Sequence, residues 1–507
     1  MKKFILTFFI FSLFGITASA NDIPMRGVWI STVYNLDFPS VKTTDSNSLK
    51  AEIDEIVRNC SEMGFNAVFL QVRPSGDAIY PSAVYPWSRY LTGTQGDMPD
   101  NGFDPLLYWI DKCHENSMEI HAWINPYRIT RDKDSEFQSL SADNPAVLNP
   151  EWVVKYSDGN YYYNPALPEV RELVIDGIKE ILQNYDVDGI HMDDYFYPGT
   201  DFDDSEEYAL YNNSEFSDIG DWRRNNVNLL VSGIAEAVRS SGKDAVFGIS
   251  PSGIWANKSQ NELGSDTGGK SSYYEMYADT RKWVKDGMVD YLAPQIYWEF
   301  GYSIADYGVL AKWWSDVFDG SSVKLYIGLA DYRSVDAYAS SAWHNGAQIE
   351  RQMDYNYKSS VVDGEIHFRY KIINQAPYLK QLITQKYKDT ILVFVDGKRV
   401  VFDTYPMLVN ERTMVPLRAV FEALGAEVNW DDGTKTVTAQ CGDDLLSLIV
   451  GSDVMNVNGE KVILDSAAFI QNDRTYVPLR AISEAFKYDV LWSEETKTVT
   501  INRINEF

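Results

Sequence analysis

Between Met25 and Tyr370 the sequence repeats one alternation eight times: a short apolar run of strand character, then a helical pattern or a long loop. The runs are MRGVWIS, NAVFLQV, MEIHAWIN, VDGIHMD, DAVFGIS, VDYLAPQIY, VKLYIGLA and GEIHFRY, and segments such as SLKAEIDEIVRNCSEM stand between them. Parallel strands need long crossovers of this kind. Eight such units over this length predict an α/β fold, a closed (β/α)8 barrel of the TIM type over residues 24–385. A doubly wound open sheet is the rival, but it would carry a Gly-rich phosphate loop after its first strand, and MRGVWISTVYN has none.

Side chains alternate faces along a strand, so parity sorts these runs. Val28 and Ile30 share one face of GVWIS, with Trp29 and Ser31 on the other. Val68, Leu70 and Val72 oppose Gln71 and Arg73; Ile120, Ala122 and Ile124 oppose His121, Trp123 and Asn125. Ile190 and Met192 oppose His191, Asp193 and Tyr195. Leu292, Pro294 and Ile296 oppose Gln295, Tyr297 and, if the extended chain persists, Glu299. The inward set is therefore Trp29, Arg73, Asn125, Asp193, Gln295, Tyr297 and Glu299, gathered at C-terminal strand ends where barrel enzymes hold their chemistry. A salt bridge to Arg73 is the structural alternative for Asp193, and turn capping is the alternative for Asp194.

The last part of the chain is a tandem repeat. VDGKRVVFDTYPMLVNERTMVPLRA begins at Val395, and VNGEKVILDSAAFIQNDRTYVPLRA begins at Val457, an offset of 62 residues. Each copy opens on a hairpin turn, Asp396-Gly397 or Asn458-Gly459, and continues through a short amphipathic helix into β-rich segments. The reading is a small α+β domain of two halves over residues 390–503. It resembles the domain named after the N-terminal region of copper amine oxidases. No histidine follows His367, so copper has no ligand supply there, and a structural or wall-attachment role is expected.

At the other end Lys2 and Lys3, the apolar run Phe4 to Ile16 and Ala18-Ser19-Ala20 read as a cleavable signal peptide over residues 1–20. The expected location is secreted or cell-wall associated, with no transmembrane segment in the mature chain. Three widely spaced cysteines leave room for one disulfide but imply no framework. The formal net charge of −28 argues against a nucleic-acid partner, because phosphate backbones demand a basic surface.

MRGVWIS, FNAVFLQVRPSGDAIYPS, HAWINPYR, DGIHMDDYFYP, GISPSGIW and PQIYW, in this order, resemble the glycosyl hydrolase-like 10 family of exported bacterial proteins. The resemblance implies glycoside hydrolysis, with at least one relative acting on peptidoglycan glycan strands that have lost their stem peptides. It marks Arg73, Asp77, Asn125, Tyr127, Asp193, Asp194, Ser250, Gln295 and Tyr297 as site residues. Trp29, His191, Tyr195, Trp255 and Trp298 join them as substrate contacts, with Trp29, Tyr127 and Trp298 as stacking platforms. DGIHMDDYFYP also echoes the fourth strand of family 18 chitinases, but Tyr195 stands where their acidic catalyst falls. Glycoside hydrolysis needs one ionised and one protonated carboxyl group. Asp193 is the expected nucleophile or ionised stabiliser. Glu299 is the first candidate for the acid, its aromatic neighbours being expected to desolvate it, and Asp194 is the second. No metal or other cofactor is expected. The expected partner is a polysaccharide, most of all a peptidoglycan strand, with the C-terminal domain contacting the cell wall. A hydrolase of another polysaccharide and a non-catalytic carbohydrate-binding barrel are the alternatives.

Overall fold

The structure is a computed structural model describing residues 23–504. The signal-peptide reading over residues 1–20 lies outside the described residues. The chain divides into a unit from Met25 to Lys388 and a second that begins at Asp389.

In the first unit eight parallel strands close a barrel. They are β1 (Met25–Ile30), β2 (Ala67–Arg73), β3 (Glu119–Ile124), β4 (Gly189–Met192), β5 (Val246–Ile249), β6 (Tyr291–Leu292), β7 (Lys324–Leu329) and β8 (Val362–His367). Sequence neighbours pair throughout, and β8 returns to β1 with Gly27 beside Ile366. The fold is the (β/α)8 barrel that the eightfold alternation predicts. The main crossover helices are α1 (Ser46–Met63), α2 (Pro105–Glu115), α3 (Pro168–Asn184), α4 (Ile219–Ser240), α5 (Thr280–Lys285), α6 (Tyr307–Phe318), α7 (Ala347–Tyr357) and α8 (Pro377–Asp389). Local chemistry sets their limits. Asp45 caps α1 by accepting from the backbone N–H groups of Asn47 and Ser48, and Gly64, at φ 88°, ends it.

Parity holds through the strand bodies. Val28, Ile30, Val68, Leu70, Ile120, Ala122, Ile190 and Met192 pack under the helices. Trp29, Phe69, Trp123, Tyr291 and Ile366 fill the interior. Large rings fit there because glycines face them. A Cβ on Gly189 would lie 2.2 Å from His121 Nδ1, and one on Gly248 would lie 2.1 Å from the Tyr291 ring.

The second unit folds around its own core, which includes Val393, Val415, Phe421, Leu446, Val477 and Ile482. The two RTxVPLRA copies meet as antiparallel strands, with Val415 opposite Val477. Ion pairs cross between halves reciprocally: Arg412 with Asp465 and Arg474 with Asp403, each pair the other's image at the repeat offset. Both hairpin turns adopt positive φ at their two central residues, as two-residue hairpins prefer. Cys60, Cys113 and Cys441 are all free thiols. Among the described residues no helix is long and apolar enough to cross a membrane.

Candidate active site

The strand end of β4 supplies the centre. β4 stops at Met192, so the strict alternation ends just before the paired aspartates. Asp193 is buried and is held by donors from two elements. Asn125 Nδ2, just past β3, lies 3.0 and 3.1 Å from its two oxygens; Trp123 Nε1 donates at 3.2 Å and the Tyr195 backbone N–H at 3.3 Å. Burial raises the Asp193 carboxyl above its ordinary range, while the Arg128 cation and then these donors pull it back. Asp194 is half-buried, and its acidity is set differently. Burial first, then the negative charge of Asp193, push it up to about 7, against a hydrogen bond from the Gln295 side chain. One environment thus pairs an aspartate ringed by donors with a neighbour that keeps its proton close to neutrality.

A string of hydrogen bonds lies beneath this pair. Trp29 Nε1 can only donate, and it meets His191 Nε2 at 3.1 Å, with Ser250 Oγ at 3.0 Å from the same nitrogen. His191 therefore carries its proton on Nδ1 and donates to the Tyr291 hydroxyl at 3.0 Å. Tyr291 passes its own proton toward His121 Nδ1, also at 3.0 Å. Burial and the neighbouring His121 hold His191 well below its ordinary pKa, so it is a neutral support. Above it the Ser250 carbonyl accepts from Gln295 Nε2 at 2.9 Å, which ties the string to the residue holding Asp194.

The structure therefore brings together Asp193, Asp194, Asn125, Tyr195, Ser250, Gln295 and His191. Tyr195 is 45% exposed at the opening. Tyr297 is half-buried, its phenol raised by burial first and by Asp194 among its neighbours. Trp298 is also half-buried, and a Cβ on Gly253 would lie 3.0 Å from its ring.

Five expectations are corrected. Arg73 does not face the mouth or pair with Asp193. The register between β2 and β3 slips between Gln71 and Arg73, and this bulge turns the side chain outward. Its guanidinium lies 4.2 Å from the Tyr85 ring centre, and a Cβ on Gly177 of α3 would stand 2.6 Å from Nη1. Trp29 and Tyr127 are buried, so neither offers an open face for a sugar to stack on. Trp255 is buried in the outer layer, donating to Asp279 at 3.2 Å and stacked on Trp313. Glu299 is not placed by strand parity, because β6 ends at Leu292 and the chain beyond Gln295 is irregular. Its carboxylate accepts from Ser340, on the segment between β7 and α7.

Asp77 is buried in a separate network of the β2 loop. Ser88 and Gln95 hydrogen-bond it, and burial above all pushes its carboxyl up to about 6. Within the acidic run 201–207, Asp204 is committed to a buried ion pair with Arg223.

Two basic residues were missed. Arg128 follows Asn125 by one turn of chain, anchors on the Pro74 carbonyl at 3.0 and 2.8 Å, and lies 5.0 Å from the Tyr195 ring centre. Arg131 stands near the same tyrosine. The available signal was their position in a mouth loop directly after a strand that already carried Asn125.

Comparison with known proteins adds the family context. Residues 24–344 match the family model for glycosyl hydrolase-like 10, and residues 394–501 match the copper amine oxidase N-terminal domain. The chain is 42% identical over 382 residues to glycosyl hydrolase YngK of Bacillus subtilis, covering 74% of each protein. It is 37% identical over 390 residues to glycosyl hydrolase DigH of Escherichia coli K12, covering 73% of this chain and 88% of that one. A solved structure, the PgaB (BpsB) glycoside hydrolase domain of Bordetella bronchiseptica, is 14% identical with a TM-score of 0.49, over 71% of this chain and 98% of that one.

Proposed function

We propose that this chain, which belongs to the glycosyl hydrolase-like 10 family and is a glycoside hydrolase, cleaves bacterial peptidoglycan glycan strands that have lost their stem peptides. The observation that carries the mechanism is the pair Asp193 and Asp194, adjacent in sequence and coupled in charge, of which Asp193 is the one ringed by donors from Asn125, Trp123 and the Tyr195 backbone. Asp194 acts as the general acid. A carboxyl that keeps its proton up to about pH 7 can give it to the leaving glycosidic oxygen. Asp193 acts as the ionised partner. Its donors from Asn125, Trp123 and Tyr195, with the Arg128 cation, favour the carboxylate that offsets positive charge on the sugar ring in the transition state. Gln295 and Ser250 hold the acid, and Tyr195, Tyr297 and Trp298 offer ring surface to the sugars. Glu299, tied to Ser340, has a lesser part.

The substrate reading rests on the family resemblance and on the signal-like start of the chain, which supports secretion to the cell wall. The C-terminal unit fits attachment there, since its paired halves form a separate core. The test is to incubate the mature protein with stem-peptide-free peptidoglycan, chitin and plant glucans, and to resolve the products by mass. Products from the first alone support the proposal. Cleavage of a glucan or of chitin in its place would move the substrate to another polysaccharide.

A further inference from the structure

Near Tyr195, the residue that follows the acid pair, stands a cation that the hydrolytic mechanism does not use. Arg131 follows β3 in the mouth loop and is half-buried. It forms no ion pair with any carboxylate among the described residues, and its Nε has no hydrogen-bond partner there. Its guanidinium instead lies among tyrosines. It sits 5.5 Å from the Tyr34 ring centre, and Tyr195 and Tyr162 are near enough for their phenols to act on it.

Its surroundings are fixed by the fold. The Arg131 backbone N–H donates to Glu136 at 2.7 Å, and its carbonyl accepts from the Tyr34 hydroxyl at 3.1 Å. Tyr34 and Asn35, in the loop after β1, have φ values of 55° and 53°, a backbone region that side-chain-bearing residues avoid. That conformation sets a tyrosine against Arg131 while leaving it 51% exposed. Tyr195, 45% exposed, continues the surface to Asp194.

A sugar alone would not need this arrangement; an anionic sugar would. The chain carries a net charge of −28, and the opening holds the Asp193 carboxylate, with Arg128 already anchored on the Pro74 carbonyl, so a carboxylate entering it meets repulsion unless a further cation offsets it. We propose that Arg131, flanked by Tyr34 and Tyr195, forms a subsite that binds a carboxylate on a sugar next to the scissile bond. This rests on the glycan-strand reading and narrows it. In a strand without stem peptides the lactyl ether of every second sugar ends in a free carboxylate, whereas an attached peptide turns that group into a neutral amide. The guanidinium fork pairs with the free acid and not with the amide.

The test uses the full-length chain carrying Asp194→Asn to slow turnover below the time of the measurement. Binding is measured by calorimetry for a stem-peptide-free tetrasaccharide with free carboxylates, for its methyl ester and for tetragalacturonate. The free acid should bind about 10- to 100-fold tighter than the ester, the range of a lost charge-assisted hydrogen bond. Adding Arg131→Gln should erase that preference, and Arg131→Lys should keep part of it. Tight, Arg131-dependent binding of tetragalacturonate would support a sugar-carboxylate subsite while moving its source to uronic acids. Equal binding of acid and ester, which needs no Arg131 variant to observe, would overturn the subsite. So would an acid preference that survives Arg131→Gln. If the wild-type chain cuts denuded strands without discriminating acid from ester, the subsite fails and the function stands. If it cuts no such strand yet binds the acid through Arg131, the substrate reading fails and the subsite stands.

Discussion

One amide of Asn125 reaches both carboxylate oxygens of Asp193, at 3.0 and 3.1 Å. This bond stabilises the ionised form, as does the Trp123 indole at 3.2 Å. Asn125→Ala should therefore raise the acidic limb of the pH–kcat/KM profile by about one to two pH units, since a hydrogen bond to a charged group contributes about 1.5–3 kcal/mol. Trp123→Phe should raise it less. A limb that does not move in either variant would mean that Asp193 is not the group whose ionisation the reaction requires.

The roles of the three acids separate by leaving group. Asp193→Asn should lower kcat by about 10³-fold or more on every substrate, equivalent to about 4 kcal/mol of lost charge stabilisation. Asp194→Asn should cost about 10²- to 10⁴-fold on sugar leaving groups and much less on an activated aryl glycoside, which needs little protonation. It should also abolish the alkaline limb. In the wild type that limb falls near pH 7, because activity is lost as Asp194 gives up its proton. Glu299→Gln should stay within about tenfold on both substrates, because the hydrogen bond its carboxylate accepts comes from Ser340, outside the group described around Asp193. A Glu299→Gln loss larger than that of Asp194→Asn would exchange their assignments.

The barrel and its inside-outside pattern were legible because they follow from period and parity, which the sequence carries directly. Legibility failed where the backbone left the ideal strand. The slip at Arg73 is one residue of register, and one residue is enough to reverse a face. The parity argument for Glu299 gave way for the related reason that β6 is only two residues long, so its alternation could not be extended seven positions on. The same irregularity helped Asp194. Neighbours in a strand point apart, but β4 has ended by Met192, so both aspartates can act at one opening. Trp29, Tyr127 and Trp255 show a different limit. Residue type marks an aromatic, but burial decides between platform and core, and burial depends on loops whose paths no pattern encodes.

Removing residues 390–507 should leave turnover of soluble oligosaccharides within about twofold. The eight strands close without that segment, α8 ends at Asp389 and is kept whole, and every group described around Asp193 lies between Met25 and Lys388. Retention on intact cell walls should fall, because a second attached module raises effective concentration at the surface. Turnover lost by a truncated chain that still melts cooperatively would assign part of the active site to the second unit.

Asp77 allows structure and catalysis to be told apart at a residue the family resemblance marks. Its carboxyl is buried, is reached by Ser88 and Gln95, and has one oxygen with no hydrogen-bond partner among the described residues. Its folded pKa is raised to about 6 from 3.8. The folded state thus binds the proton more tightly than the unfolded chain does. The associated stability is complete below about pH 4 and is lost as pH rises through 6, by about 3 kcal/mol in total. Asp77→Asn replaces the neutral acid with a neutral amide of the same shape. It should match wild-type stability at pH 4 and exceed it by up to about 3 kcal/mol at pH 7, read from urea midpoints at the two pH values. Its kcat should remain within about tenfold of wild type, because Asp77 belongs to a network apart from Asp193 and Asp194. A variant that is stable at pH 7 but inactive would return Asp77 to the chemistry; one that unfolds equally at both pH values would show that the charged form is the one the fold is built to hold.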